Sequence, residues 1–286
     1  MKQSEIDLSI ELKLAELLAR QAGEATLKLQ HLGVARYKDN HEGPVTEGDL
    51  KAEKIIIGGI HEAFPEDLII SEESFISGTE VPKAHRIWFI DPIDGTKSYV
   101  SGGEDYAIMI GLAIDGRPKL GVIFAPATQT LWRAQNDNAE RIEPNGKIVK
   151  LNVRDKKLGP NGFRLAVSHH ASSPFTHFLN DNLPVAKVIR KSSVGIKTVL
   201  VADGQADAYL SSGRNIKLWD TCGPAAILIG AGGIFSSLQS QELQFSGNIQ
   251  HGIEIMAATP HAASLLQKKI PEVIKQWNLL KRTKTP

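Results

Sequence analysis

A single cysteine, Cys222, stands among 286 residues. It cannot close an intrachain disulfide, so nothing in the chain requires an oxidising compartment. Long apolar runs are missing as well. The most apolar later stretch, Thr221–Phe235, is short for a membrane span and is broken by Gly and Pro. The opening MKQSEIDLSIELKL alternates charged with apolar residues and lacks the h-region of a signal peptide. Charge of one sign is also lacking: 33 basic against 32 acidic residues leave a formal net charge of +1. No global field draws the chain to a nucleic acid polymer or an anionic membrane, although a local basic pocket stays open. Repeats, low-complexity tracts and Ser/Pro-rich linkers are absent. We therefore expect a cytoplasmic protein with no nucleic acid partner and no stable membrane insertion.

What is present is an ordinary globular balance, 42% hydrophobic and 23% charged, in a chain long enough for a substantial core. Ser4-Glu5-Ile6-Asp7 reads as a capping box. Ile6, Ile10, Leu14, Leu17 and Leu18 then recur at helical spacing, predicting a helix to about Gln30. Thr46-Glu47-Gly48-Asp49 is a second capping box, before a helix that stops ahead of Pro65. Strands are expected at Leu68–Ser71, Arg86–Ile90, Ala107–Ile114, Leu120–Phe124 and Thr130–Ala134, and the sheet continues from Ile142 to Val153. Beyond 156–162 the pattern alternates. Strands fit Phe163–Ser168, Ala186–Arg190, Ala206–Leu210 and Glu254–Ala258; helices fit Ser172–Asn180, Ser193–Ala202, Asp220–Gly230 and Pro260–Lys269. The reading is an α+β half over residues 1–157, carrying most candidate metal ligands, joined to an α/β half over residues 158–286.

The chemistry sits where acids meet strand ends. Ser71-Glu72-Glu73-Ser74 closes one apolar strand, and Asp91-Pro92-Ile93-Asp94-Gly95-Thr96 closes another. Two adjacent strands would bring Glu72, Asp91 and Asp94 to one edge. Crowded carboxylates repel unless protons or cations intervene, and hard oxygen donors on rigid strand ends suit Mg²⁺. Pro92 directs the chain between the aspartates, Gly95 permits a tight fold after them, and the Ile93 carbonyl would face the same pocket. The Thr96 hydroxyl could orient a metal-bound water. Each piece has a plainer reading: D-P-x-D-G as a turn, Asp49 as the acid of its capping box, and Asp220 after Trp219 as a helix N-cap. The small residues Thr221–Ala226 permit close packing of that helix on the sheet. Gly111 and Gly121 read as sheet packing, since no G-x-G-x-x-G or Walker pattern is present.

Glu72-Glu73-Ser74, Asp91-Pro92-Ile93-Asp94-Gly95-Thr96 and Trp219-Asp220 with Ala231-Gly232-Gly233 together resemble the signature of the inositol monophosphatase superfamily. Val45-Thr46-Glu47-Gly48-Asp49 resembles that family's upstream acidic helix start, so four motifs match in order from about residue 45 to 235. The resemblance implies the layered αβαβα sugar-phosphatase fold and a magnesium-dependent phosphomonoesterase with two or three Mg²⁺ per site. It implies Glu72, Asp91 and the Ile93 carbonyl on a first ion, and Asp91, Asp94 and Asp220 on a second. Asp49 and Thr96 would position the attacking water. Gly95 and Thr96 would offer amides to the phosphate.

Within that superfamily, the 3′(2′),5′-bisphosphate nucleotidases of the CysQ group are the nearer likeness. Lys97 follows the threonine as it does there. No acid stands between Asp207 and Asp220, where inositol phosphatases place a glutamate. Arg214 and Lys217 occupy that interval and would suit a second phosphate. Lys191–Lys197 partly resembles the nucleotidases' Gly-Ser-Ser-x-Lys segment, and only Lys197 carries over. The implied substrate is 3′-phosphoadenosine 5′-phosphate, split to AMP and phosphate by direct attack of water. The alternatives are an inositol- or histidinol-phosphate phosphatase and, more distantly, a non-catalytic nucleotide- or metal-binding regulator. His169 and His170 resemble a strand end near the substrate without entering the catalytic set. The family's members occur as monomers and dimers, so a homodimer is an open expectation.

Overall fold

The computed structural model describes residues 6–32, 34–37, 44–169, 178, 181–213 and 215–283. Helix α1 (Ser9–Leu29) leads to a short antiparallel pair, β1 (Val34–Tyr37) and β2 (Pro44–Thr46), and then to α2 (Glu47–Ala63). A seven-stranded sheet follows from β3 (Leu68–Ser71), β4 (Arg86–Asp94), β5 (Ala107–Ile114), β6 (Arg117–Ala125), β7 (Thr130–Gln135), β8 (Asn138–Ile142) and β9 (Ile148–Lys150). Its strands lie in chain order, and the five-residue helix α3 (Thr96–Val100) sits between β4 and β5. The second sheet is built from β10 (Phe163–Ser168), β11 (Val185–Lys191), β12 (Ala208–Ser211), β13 (Ile234–Ser237) and β14 (Ile255–Ala258), in the order β11-β10-β12-β14-β13. Helices α4 (Val194–Ala202) and α5 (Cys222–Gly230) come from this part of the chain, and α6 (Pro260–Thr283) ends it.

Alternation along the strands explains the layering. Trp88, Ile90, Ile108, Ile110, Val122 and Phe124 face Leu12, Leu18, Ala19, Ile56 and Ile60 of α1 and α2. Their neighbours Phe89, Met109 and Ile123 point the other way, into a cluster with Val199 of α4, Ile227 of α5, and Tyr209 and Ile255 of the second sheet. The far face of that sheet, including Leu165, Leu210 and Met256, packs on Ala262, Ala263 and Leu266 of α6. Five layers result: helices, sheet, helices, sheet, helix. Strands buried on both faces read as continuous apolar runs, which is why Ala107–Ile114 shows no polar alternation. The chain passes from one sheet to the other between Lys150 and Phe163, and the cluster around α4 and α5 draws on both.

The first helix departs from expectation. It starts at Ser9, with Leu8 at the N-cap and no side-chain cap; Ser4 and Glu5 of the expected capping box lie outside the described residues. Its buried face is Leu12, Ala15, Leu18, Ala19 and Ala22, while Ile6, Ile10 and Leu17 are exposed. Alanines let α1 approach the sheet closely, and the larger side chains drew the periodicity onto the wrong face. Strands β1, β2 and β13 were not expected from the sequence, and α6 runs well past Lys269. Most of the expected Ser172–Asn180 helix lies outside the described residues.

Candidate active site

Asp91 and Asp94 are three residues apart on one strand, and a regular strand would turn them to opposite faces. The pairing of β4 with β5 resolves this. Asp91 stands opposite Met109 and Asp94 opposite Ala107, so three steps on β4 match two on β5. The extra residue is a β-bulge at Pro92 and Ile93, a place where a residue without an N–H is tolerated. Ile90 and Ile93 consequently share the face toward α1 and α2. Both aspartates then project to the opposite face, toward α4 and α5. The Ile93 amide donates to Asp91 Oδ1 at 3.0 Å, fixing that carboxylate across the bulge.

Glu72 continues the parallel pairing of β3 with β4. Ser71 stands opposite Ile90, and the Glu72 amide donates to the Ile90 carbonyl at 3.1 Å, which seats Glu72 beside Asp91. Asp220 arrives from the second half of the chain. It precedes α5 by two residues and is not its N-cap, which is Thr221 with no side-chain cap. The Asp220 carboxylate instead accepts the Lys217 amide at 2.6 Å. What brings it to the sheet is a contact of three glycines. Gly111 and Gly121 are cross-strand partners, and a Cβ on either would overlap the backbone of Gly223 in the first turn of α5. A Cβ on Gly223 would lie 2.9 Å from the Ile110 carbonyl. The small-residue stretch at the start of this helix does what its composition implied.

Carboxylate oxygens of Asp91, Asp94 and Asp220 lie within 4.8 Å of one another, and this triad could hold a metal ion. Burial raises the pKa of Asp91 well above the ordinary carboxylate range, and Glu72, Asp94, Asp220 and Asp49 add to the rise. Asp220 is likewise raised well above it, first by burial and then by Asp94 and Glu72; the Lys217 amide and charge oppose the rise. Buried like charges with only oxygen donors are the environment a hard divalent cation relieves, so these residues fit Mg²⁺.

Asp49 performs its plainer role in full. Its Oδ2 accepts the Thr46 amide at 2.8 Å and the Thr46 hydroxyl at 2.6 Å, while its own amide donates to Thr46 Oγ1 at 3.2 Å, closing the capping box of α2. It is also buried and close enough to raise Asp91, so the cap delivers an acid to the cluster. Thr96 Oγ1 donates to the Ile93 carbonyl at 3.0 Å. Gly95, with φ +99°, makes the turn ahead of α3, where a Cβ would come within 2.8 Å of the Asp105 carbonyl.

The basic residues separate into distinct settings. Lys97 is exposed beside the Gly95–Thr96 turn. Lys217 holds its ammonium 5.0 Å from the centre of the Trp219 ring, next to Asp220, and Phe75 meets the same indole edge-on. Lys197 is fully buried: Nζ donates to the Ser192 and Lys191 carbonyls at 2.8 and 3.3 Å, and burial lowers its pKa to about 8 against the pull of Asp94, Asp105 and Asp220. Arg214 and His170 lie outside the described residues, and His169 is exposed at the end of β10. Where the nucleotidase segment has its second serine this chain has Gly195, and a Cβ there would overlap Met109 Sδ.

Two groups at the site were not singled out from the sequence. Ser193, the N-cap of α4, bonds Asp94. His251 Nε2 lies 2.7 Å from the Thr221 hydroxyl, next to Asp220. The polar cap signal of Ser193 was visible, but its partner 99 residues away was not.

A model of the inositol monophosphatase family matches residues 4–277. The 3′(2′),5′-bisphosphate nucleotidase CysQ of Buchnera aphidicola subsp. Acyrthosiphon pisum is 32% identical over 234 residues, 80% of this chain and 85% of that protein. A histidinol-phosphatase of Chlorobaculum parvum is 30% identical over 225 residues, 78% of this chain and 84% of the other. The solved structure of the inositol monophosphatase of Anabaena (Nostoc) sp. PCC 7120 has a TM-score of 0.75 at 24% identity, covering 93% of this chain and 97% of that one.

Proposed function

The chain belongs to the inositol monophosphatase family and is a phosphatase, and on that premise we propose that it is a Mg²⁺-dependent 3′(2′),5′-bisphosphate nucleotidase. Its substrate would be 3′-phosphoadenosine 5′-phosphate, and the products AMP and inorganic phosphate. The observation that carries this choice is the placement of Lys217: a cation held over Trp219 at the edge of the acid cluster, in an interval of chain without a carboxylate. An ammonium there suits a second phosphate, whereas a ring hydroxyl would be better met by an acceptor.

Glu72, Asp91, Asp94 and Asp220, with the Ile93 carbonyl, would hold two or three Mg²⁺. Bound there, the ions would supply a more acidic water and neutralise charge on the phosphoryl oxygens. Asp49 and Thr96 would orient the attacking water in line with the bond to the leaving oxygen. Amides at Gly95 and Thr96, in the first turn of α3 where they lack helical partners, would donate to the phosphoryl group. Lys97 would add positive charge at the mouth. Lys197, expected to touch the substrate, is fully buried with its ammonium on the Lys191 and Ser192 carbonyls, so it would act from behind Asp94 and is not counted among the substrate contacts.

A histidinol-phosphate phosphatase is the second reading, favoured by the 30% identity to the Chlorobaculum parvum enzyme. Phosphate release with Mg²⁺ from 3′-phosphoadenosine 5′-phosphate, histidinol phosphate and inositol 1-phosphate separates the two. We expect the adenosine bisphosphate to be preferred, and Lys217→Ala to slow it roughly tenfold, the scale of one charged contact, with little effect on the monophosphates. Faster turnover of a monophosphate by the unaltered protein would discard the nucleotidase reading while keeping the metal chemistry.

A further inference from the structure

Asp94 belongs to the seven-stranded sheet, yet its side chain is fastened to a helix of the other half. Ser193 Oγ donates to Asp94 Oδ2 at 2.5 Å, and the Gly195 amide donates to the same oxygen at 2.7 Å. Ser193 Oγ also accepts the Ile196 amide at 2.9 Å, which caps α4. A hydroxyl has one hydrogen, and here it is spent on the carboxylate while the lone pairs serve the helix. A second tie lies alongside: Asp105 Oδ2 accepts the Ser192 amide at 2.5 Å. One turn into α4, the buried Lys197 closes the Lys191 and Ser192 carbonyls behind the same segment.

We propose that Ser193 is a positioning residue for the metal centre, setting the carboxylate plane of Asp94 from across the junction between the two sheets. A carboxylate on a strand end retains rotation about χ1 and χ2. Two donors on one oxygen remove that freedom and turn the group toward Asp91 and Asp220, whose oxygens it joins within 4.8 Å. Loss of a group that orients a ligand in this way typically costs about 10–100-fold in metal affinity. The inference rests on the metal site of the proposed function and assigns to it a residue outside the ligand set.

The test is Mg²⁺ binding to the full-length protein by titration calorimetry, together with urea unfolding in the absence of Mg²⁺. Ser193→Gly removes the hydroxyl while keeping a residue that caps nearly as well. We expect its affinity for Mg²⁺ to fall roughly tenfold, with little change in unfolding midpoint. The Mg²⁺ concentration for half-maximal phosphate release should rise in parallel, while KM for substrate at saturating Mg²⁺ stays put. Ser193→Thr, which restores the donor, should bind Mg²⁺ within about twofold of the unaltered protein. A folded Ser193→Gly variant that binds Mg²⁺ as tightly as the unaltered protein would overturn the inference. Failure of the unaltered protein to bind Mg²⁺ would overturn the metal centre itself, and this role with it.

Discussion

Asp91 and Asp94 are held by a strand, and Asp220 by a loop, and the two solutions use different physics. The strand acids owe their positions to a ladder of backbone hydrogen bonds: β4 is paired on both sides up to Ile90 and with β5 on to Asp94, and its one irregularity is the bulge that orients the acids. Asp220 has no ladder of its own. It is seated by the glycine contact between α5 and the β5–β6 pair, and braced by residues 249–251, whose backbone bonds Leu218 and Ile216 at 2.9 and 3.2 Å. The strand side is held by backbone pairing to β5, the loop side by the absence of side chains where two backbones meet. Damage to the first should appear in the chemistry, and damage to the second in stability and chemistry together.

Removing the charge of Asp91 separates these most sharply. Asp91→Asn should lower phosphate release about a thousandfold or more, since the proposed metal centre would lose a carboxylate ligand. Metal-free, the same variant should melt at a higher temperature than the unaltered protein. A carboxyl whose folded pKa is raised contributes stability below its unfolded pKa and loses it as pH rises through the folded value. At neutral pH the buried carboxyl therefore costs stability, and the amide relieves it. Melting in a chelator, run beside the phosphate assay, reads both effects.

Gly121→Ala attacks the loop side. The new Cβ overlaps the Gly223 carbonyl, so α5 must lift from the sheet. We expect a loss of about 1–3 kcal/mol in urea unfolding, as for other overpacked cores, and a fall in turnover as Asp220 moves away from Asp91 and Asp94. Full activity with normal stability would show that the glycine seat does not place Asp220.

The effect confined to the pH dependence of stability concerns His251, which is packed against Phe245 and the Thr221 hydroxyl. Burial lowers its pKa to about 4, so the folded protein holds the ring neutral. The unfolded chain takes up a proton near pH 6.5, so this contribution to stability is whole above that pH and drains away as pH falls toward 4, by about 3 kcal/mol at the limit. Asp91 and Asp220 pull the other way in metal-free protein, so the comparison is with His251→Gln. The difference in stability between the two proteins should shrink between pH 7.5 and 5; a constant difference would remove His251 from the brace.

The strand side was far more legible from sequence than the loop side. Asp91-Pro92-Ile93-Asp94 follows an apolar run whose burial is local information, so acids at a strand end could be placed without knowing the fold. Asp220 was found by its motif, but its expected place at the helix start was two residues out, because the turn is shaped by Lys217 and residues 249–251. The tie from Ser193 to Asp94 spans 99 residues and leaves no local trace beyond a helix cap. The misread face of α1 has the same origin. Ala15, Ala19 and Ala22 are buried because the sheet is close, and closeness is a property of the tertiary structure.

The bulge in β4 makes the metal site a question of parity. Side chains on a strand change sides with every residue, so the count between Asp91 and Asp94 decides whether they meet, and three succeeds only because one step is absorbed at Pro92 and Ile93. Deleting either residue would smooth the ladder and leave an even spacing that a regular strand satisfies, whereas adding one while the bulge persists would send the aspartates to opposite sides of the sheet, one of them into the apolar layer beneath α1 and α2. Shortening and lengthening this segment are therefore not equivalent insults: the site can survive the loss of its irregularity more readily than its enlargement.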